Sequence, residues 1–171
     1  MDLELFWSSR KKEKIMSEHI LIIEDDIDIA NIERDYLMVA GYDVTVMNNG
    51  TDGIEAALNT PVDLIILDVM LPEMDGFEVC RAIRDKVRVP IVMVTARLDD
   101  IDKIRGLGVG ADDYIEKPFS PSVLIAKIKA MLAQYKRLTE KDVVDTNAIQ
   151  SGDIRLDPKT VYYTHLRAQE T

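Results

Sequence analysis

Cysteine is almost missing from the chain. Cys80 stands alone, which excludes an intramolecular disulfide and any multi-cysteine zinc site and fits a reducing compartment, with the cytoplasm as the expected location. Basic residues are also scarce: 21 Lys and Arg against 31 Asp and Glu leave a formal net charge of −10. Gripping DNA needs a clustered basic face to neutralise phosphates, so this piece is not expected to bind nucleic acid. No apolar run approaches the length that spans a bilayer. The early cluster Leu3, Leu5, Phe6 and Trp7 is too short for a signal-peptide core and runs into Arg10, Lys11 and Lys12, the reverse of the secretory charge order. Internal repeats and low-complexity tracts are absent as well. What is present, 171 residues at 47% hydrophobic and 30% charged, suits one ordinary folded domain with some excess.

From Ile20 onward, short runs rich in Ile and Val alternate with segments of helical period, which is the pattern of βα units feeding a parallel sheet. The expected strands are Ile20 to Ile23, Asp43 to Met47, Val62 to Leu67, Pro90 to Val94 and Asp113 to Ile115. Three are nearly continuous apolar runs, as expected for strands covered on both faces; the second and fifth are shorter or more polar and read as edges. In the first helix Ile29, Ile32, Tyr36, Leu37 and Ala40 form the expected buried stripe, ended by Gly41. In the last helix Leu124, Ile128, Met131, Leu132 and Tyr135 do the same, after a start at Ser120-Pro121. Beyond Tyr135 the apolar period dissolves. The expected organisation is therefore a leader over 1–17, a main domain over 18–136, a linker over 137–148, and over 149–171 the beginning of a second domain too short to bury a core.

The chemistry lies at the strand ends. Glu24, Asp25 and Asp26 follow the first strand and Asp68 follows the third, so a flavodoxin-like α/β fold, a (βα)5 doubly wound parallel sheet of order 2-1-3-4-5, would set both acidic groups at its topological switch point. Thr95 closes the fourth strand and Lys117 follows the fifth, at the same edge. Crowded carboxylates repel unless a cation neutralises them. Mg2+ is the expected ion, being hard, oxygen-seeking and able to keep positions open for phosphate oxygens. A carboxylate beside it can attack phosphorus, while Lys117 offsets charge on the transferring group and the Thr95 hydroxyl bonds one of its oxygens.

These residues resemble the response-regulator receiver family, CheY-like, over about Ile20 to Tyr135. The shared motifs are Ile20 to Ile23 leading into Glu24-Asp25-Asp26, Leu67 to Pro72 with Met74-Asp75-Gly76 behind it, Val94-Thr95-Ala96-Arg97, Gly110 to Tyr114, and Lys117-Pro118-Phe119. The resemblance implies that Asp68 is the phosphoacceptor and that Asp25, Asp68 and the Met70 carbonyl bind the metal, with Glu24 acting through water. It implies that Thr95 and Lys117 hold the phosphoryl group with Ala96 beside it at the cofactor site, that Thr95 and Tyr114 form a switch pair, and that Lys117-Pro118 is a cis peptide. The implied donor is the phosphohistidine of a sensor histidine kinase. The segment Ile149 to Pro158 further resembles the start of the DNA-binding domain in the OmpR/PhoB subfamily of winged-helix transcription factors, so the chain reads as a truncated regulator that would meet DNA only at full length.

In that subfamily active receivers form homodimers through the fourth helix, fifth strand and fifth helix, using ion pairs between subunits. Asp113 and Lys127 occupy one expected pair, but Val123 replaces the acidic partner of Lys103 and Gly108 that of Lys129, which implies a weaker or more hydrophobic dimer. The leader before Met16 and the tail from Tyr163 match nothing in the family and read as non-native. Taken singly, the acidic run would be a solvated helix start, Tyr114 an edge aromatic, Cys80 a small core residue, and His19 and His165 bystanders. The alternative of an aspartyl-phosphate phosphatase or phosphotransferase of the haloacid dehalogenase kind needs a second aspartate two residues after Asp68, where Met70 stands. A nucleotide-binding module would need a glycine-rich loop after the first strand, where the carboxylates stand. The expectation is a switch that catalyses only its own phosphorylation and dephosphorylation, and so no enzyme.

Overall fold

The computed structural model describes residues 17–96 and 108–146, with side chains described as far as residue 140. The leader, the segment 97–107 with Lys103, and everything from 147 onward, His165 included, lie outside the described residues. The elements run β1 (His19–Ile23), α1 (Ile27–Val39), β2 (Asp43–Met47), α2 (Gly50–Asn59), β3 (Leu64–Asp68), α3 (Gly76–Arg84), β4 (Ile91–Thr95), β5 (Asp113–Glu116) and α4 (Pro121–Thr146). All strand pairings are parallel and the order is β2-β1-β3-β4-β5, which is the expected flavodoxin-like arrangement with β2 and β5 as its edges.

Successive strand residues face opposite sides of a sheet, and here each side is covered. Leu21, Ile23, Ile65, Leu67, Ile91 and Met93 pack with Ala56, Val79, Cys80 and Ile83 from α2 and α3. Ile20, Ile22, Leu64, Ile66, Val92 and Val94 pack with Leu37 from α1 and with Leu124, Ile128 and Leu132 from α4. Each fully buried Ile or Leu stabilises the fold by about 1.5–3 kcal/mol relative to exposure, which explains why the continuous apolar strands set the architecture.

Three helices begin at the carboxyl edge of the sheet on side-chain caps, which satisfy backbone N–H groups left without helical partners. Asp26 accepts from the N–H groups of Asp28 and Ile29, Asn49 from Asp52, and Asp75 from Glu78, whose own carboxylate accepts from the Asp75 N–H in a complete capping box. Asp75 and Gly76 thus open α3. Only glycine fits at position 76: a Cβ there would lie 2.2 Å from the Asp68 carbonyl oxygen. At the opposite edge Arg84 ties the loops entering β4 and β5 together. Its guanidinium donates to the carbonyls of Gly110, Val87 and Val89 and to Asp112 Oδ2, which also accepts from the Ile91 N–H.

Four sequence expectations are corrected. Asp68 does not follow its strand but is the last rung of β3, paired with Val94, whereas Thr95 closes β4 as expected, opposite Glu116. The buried face of α1 is Ala30, Glu33 and Leu37, whereas Ile32 and Tyr36 are 56% and 45% exposed. The polar stretch read as linker continues α4 to Thr146, because Lys, Arg, Leu and Glu favour helix without any apolar face, and the Thr139 hydroxyl donates to the Tyr135 and Lys136 carbonyls. His19 is no bystander, since its Nδ1 and Nε2 meet the Pro61 carbonyl at 2.9 Å and the Thr45 hydroxyl at 2.8 Å. The chain divides into two compact units at Leu132 and Ala133.

Candidate functional site

The ends of β1, β3, β4 and β5 bring the sequence-predicted residues together. Asp68, buried at the end of β3, has each carboxylate oxygen engaged: Oδ1 accepts from the Met70 N–H at 2.8 Å and Oδ2 from Lys117 Nζ at 2.6 Å. The same Nζ donates to Glu24 Oε2 at 2.6 Å, so one ammonium bridges two buried carboxylates. Asp25 is exposed, and Glu24, Asp25 and Asp68 each offer an oxygen within 4.8 Å of the others. Asp26 takes no part, its carboxylate being the α1 cap. Thr95 is fully buried, and its carbonyl accepts from the Lys117 N–H at 2.7 Å; the Lys117-Pro118 peptide is cis.

The electrostatics follow from burial. Desolvation, reinforced by the neighbouring Asp68, pushes the Glu24 carboxyl up to about 7 despite Lys117. Burial alone would lower Lys117, but its hydrogen bonds to Asp68 and Glu24 outweigh that and hold it above its ordinary value. One cation is thus shared by more negative charge than it neutralises. A set of hard oxygen donors gathered at an open edge fits Mg2+, which favours one or two carboxylates and retains waters.

The remaining expected residues are spread wider. Ala96 is exposed and lines a cavity together with Lys117 and residues of α1. Tyr114 is half-buried in β5 and rests against the α2 and α3 layer. Its carbonyl accepts from Lys127 Nζ at 2.6 Å, the ammonium lies 5.4 Å from its ring centroid, and Lys127 pairs with Asp113 of the same chain at 3.0 Å. Val123 is 52% exposed. Burial pushes the Cys80 thiol up to about 11, and its Sγ donates to the Val109 carbonyl, as suits a core residue. Sequence reasoning missed Glu33. This carboxylate is 3% exposed and has no hydrogen-bond partner among the described residues, and burial pushes it up to about 7. Its signal was a glutamate one turn from Leu37 on the face that must meet the sheet.

Comparison with known proteins agrees with this geometry. The family model for the response regulator receiver domain matches residues 20–129. The chain is 45% identical over 131 residues to the response regulator ArlR of Staphylococcus epidermidis, covering 77% of this chain and 58% of that protein. It is 40% identical over 141 residues to the uncharacterized transcriptional regulatory protein YclJ of Bacillus subtilis, covering 82% and 62%. It thus spans roughly three fifths of these relatives. Among solved structures, a CheY-like receiver domain from Methanospirillum hungatei JF-1 superposes with a TM-score of 0.66 at 30% identity, covering 71% of this chain and 98% of that one. The receiver domain of the sensor histidine kinase PA1611 from Pseudomonas aeruginosa PAO1, with magnesium coordinated in its active site cleft, gives a TM-score of 0.63 at 30% identity, covering 68% and 98%. With its strand order, its acidic crevice and these relatives, the chain belongs to the response regulator receiver domain family, the phosphorylation-dependent switches of two-component signalling.

Proposed function

We propose that Asp68 accepts a phosphoryl group from the phosphohistidine of a sensor histidine kinase. The observation that carries this is a buried carboxylate at a strand end, anchored through one oxygen by a backbone N–H and through the other by an ammonium, with two further carboxylates within reach of one ion. In the transfer an Asp68 oxygen bonds to phosphorus as the phosphorus–nitrogen bond breaks and the histidine imidazole leaves. Glu24, Asp25, Asp68 and the Met70 carbonyl would hold Mg2+, which supplies charge neutralisation at the phosphoryl oxygens. Lys117, already oriented on Asp68, moves its ammonium to a phosphoryl oxygen, and the Thr95 hydroxyl donates to another. Ala96, next along the chain, leaves room beside them.

Phosphorylation adds charge and acceptor oxygens at Asp68, which draws Thr95 inward and makes room for Tyr114. In this reading the surface of β5 and α4, with Asp113, Val123 and Lys127 and the segment containing Lys103, then changes its readiness to form a homodimer. The domain covers 18–136, the stretch 137–148 connects it to a DNA-binding domain beginning at 149, and the full-length regulator works in the cytoplasm to control transcription. No described helix is long and apolar enough to cross a membrane. Intact-mass measurement after incubation with acetyl phosphate tests the central step. One added phosphoryl group that requires both magnesium and Asp68, and is lost in Asp68→Asn, is the expected result; addition to Asp68→Asn, or none in folded protein, overturns it.

A further inference from the structure

The inner face of α1 carries a titratable group that phosphoryl transfer does not touch. Glu33 is 3% exposed, and both of its carboxylate oxygens are buried without a hydrogen-bond partner among the described residues. Glu33 and Lys117 line the same open cavity, so the two side chains share a wall. The other neighbours there are apolar: Ile29 and Ile32 on the same helix, and Phe119, Pro121 and Leu124 at the start of α4. The charges that reach Glu33 are the Lys117 ammonium, from the loop after β5, and the Asp68 carboxylate, at the end of β3. The Arg34–Asp35 pair of its own helix lies at the surface. A carboxyl in such surroundings stays protonated into the neutral range, because burial pushes it up to about 7. Its ionisation sets a further carboxylate against an ammonium that already serves Asp68 and Glu24. Charges are weakly screened in a buried region, so that field is felt at the acceptor.

We propose that Glu33 is a positioning residue for phosphoryl acceptance: as a neutral acid it leaves the Lys117 ammonium to Asp68, and as a carboxylate it draws that ammonium away and disfavours the anionic phosphoryl group. It acts through Lys117 and touches neither the donor nor the reacting atoms. The sign follows from the charge. Acceptance is favoured while Glu33 holds its proton and falls as pH rises through its ionisation, which ties the response of the switch to acidity. The inference rests on Asp68 being the phosphoacceptor.

Two measurements on the full chain test it. The first needs no phosphoryl transfer: NMR of isotope-labelled glutamate follows the Glu33 carboxyl across pH, with Glu33→Gln identifying its resonance. Coupling between two sites is reciprocal, so Lys117→Met should raise the Glu33 midpoint and Asp68→Asn should lower it, each by roughly half a pH unit or more. The second follows phosphorylation by acetyl phosphate through intact mass, with magnesium saturating at each pH. The rate at roughly pH 6 divided by that at roughly pH 8 should be about threefold or more greater in the parent than in Glu33→Gln. Titration of the donor and of Glu24 is common to both proteins and cancels in this comparison. Glu33→Leu, which cannot ionise and leaves no buried amide unpaired, should match Glu33→Gln and serves in its place if the glutamine variant does not fold. A Glu33 midpoint that neither charge change moves, or one pH profile shared by the parent and the folded variants, overturns the proposal and leaves Asp68 as the acceptor. Failure of the folded parent to be phosphorylated at any pH overturns the assignment of Asp68, and the proposal with it.

Discussion

Replacing Glu33 by leucine should stabilise the domain, and by more the higher the pH. The folded chain raises this carboxyl from its ordinary 4.5 to about 7, through burial. A carboxyl so raised contributes stability that is fully present below its unfolded value and is lost as pH rises through its folded one. Each pH unit in that window is worth about 1.4 kcal/mol, so ionising Glu33 costs the fold about 3 kcal/mol by roughly pH 8, and about 2 kcal/mol of that accrues above roughly pH 5.5. Leucine carries no such charge and places apolar surface against Ile29 and Leu124. Urea denaturation of both proteins across that range should therefore show the advantage of Glu33→Leu growing by about 2 kcal/mol between roughly pH 5.5 and 8. Contributions from Glu24 and other carboxylates are common to both proteins and cancel in the difference. An advantage that stays flat with pH, or shrinks, would refute the reasoning.

Two further substitutions probe how the site is held. Lys117→Met leaves Glu24 and Asp68 without their shared ammonium and should cost about 2–3 kcal/mol in urea denaturation, less than a fully unpaired buried charge because Glu24 takes up a proton instead; added magnesium should recover part of the loss, and a variant as stable as the parent would contradict the bridging role. Arg84→Lys keeps the charge but cannot reach four acceptors from one ammonium, and should lower stability by about 2 kcal/mol; an unchanged denaturation midpoint would show that the Arg84 clasp is energetically idle.

Much of this was legible in the sequence because the sheet and the site obey the same rule. Continuous runs such as Leu64 to Leu67 and Ile91 to Val94 require cover on both faces, and polar residues following such runs must emerge at the strand carboxyl ends. That reasoning finds Asp68, Thr95 and Lys117 together. It places Asp68 one residue too late because side-chain polarity marks where an apolar run ends, while backbone pairing continues one rung further. The inner face of α1 was misread for a different reason. Periodicity identifies an apolar stripe, but Ile29, Ile32 and Tyr36 face a cavity, and the position against the sheet belongs to Glu33, a residue that hydropathy assigns to solvent. The helical run to Thr146 was hidden because its few apolar residues, Leu138, Val143 and Val144, do not recur at helical spacing and leave no stripe to read. The three capping residues were visible as types, although only the structure separates Asp26, a cap, from Glu24 and Asp25, which face the crevice.

The contact between Gly76 and the Asp68 carbonyl bears on how this chain can vary. Position 76 carries no functional group and opens a helix, where alanine would ordinarily be preferred. The acceptor strand nevertheless runs directly beneath it, so the residue is dictated by the crevice and not by the helix it begins. A survey of tolerated substitutions scored on signalling output would find position 76 as unforgiving as position 68, and would count among the essential residues one whose whole contribution is to take up no space.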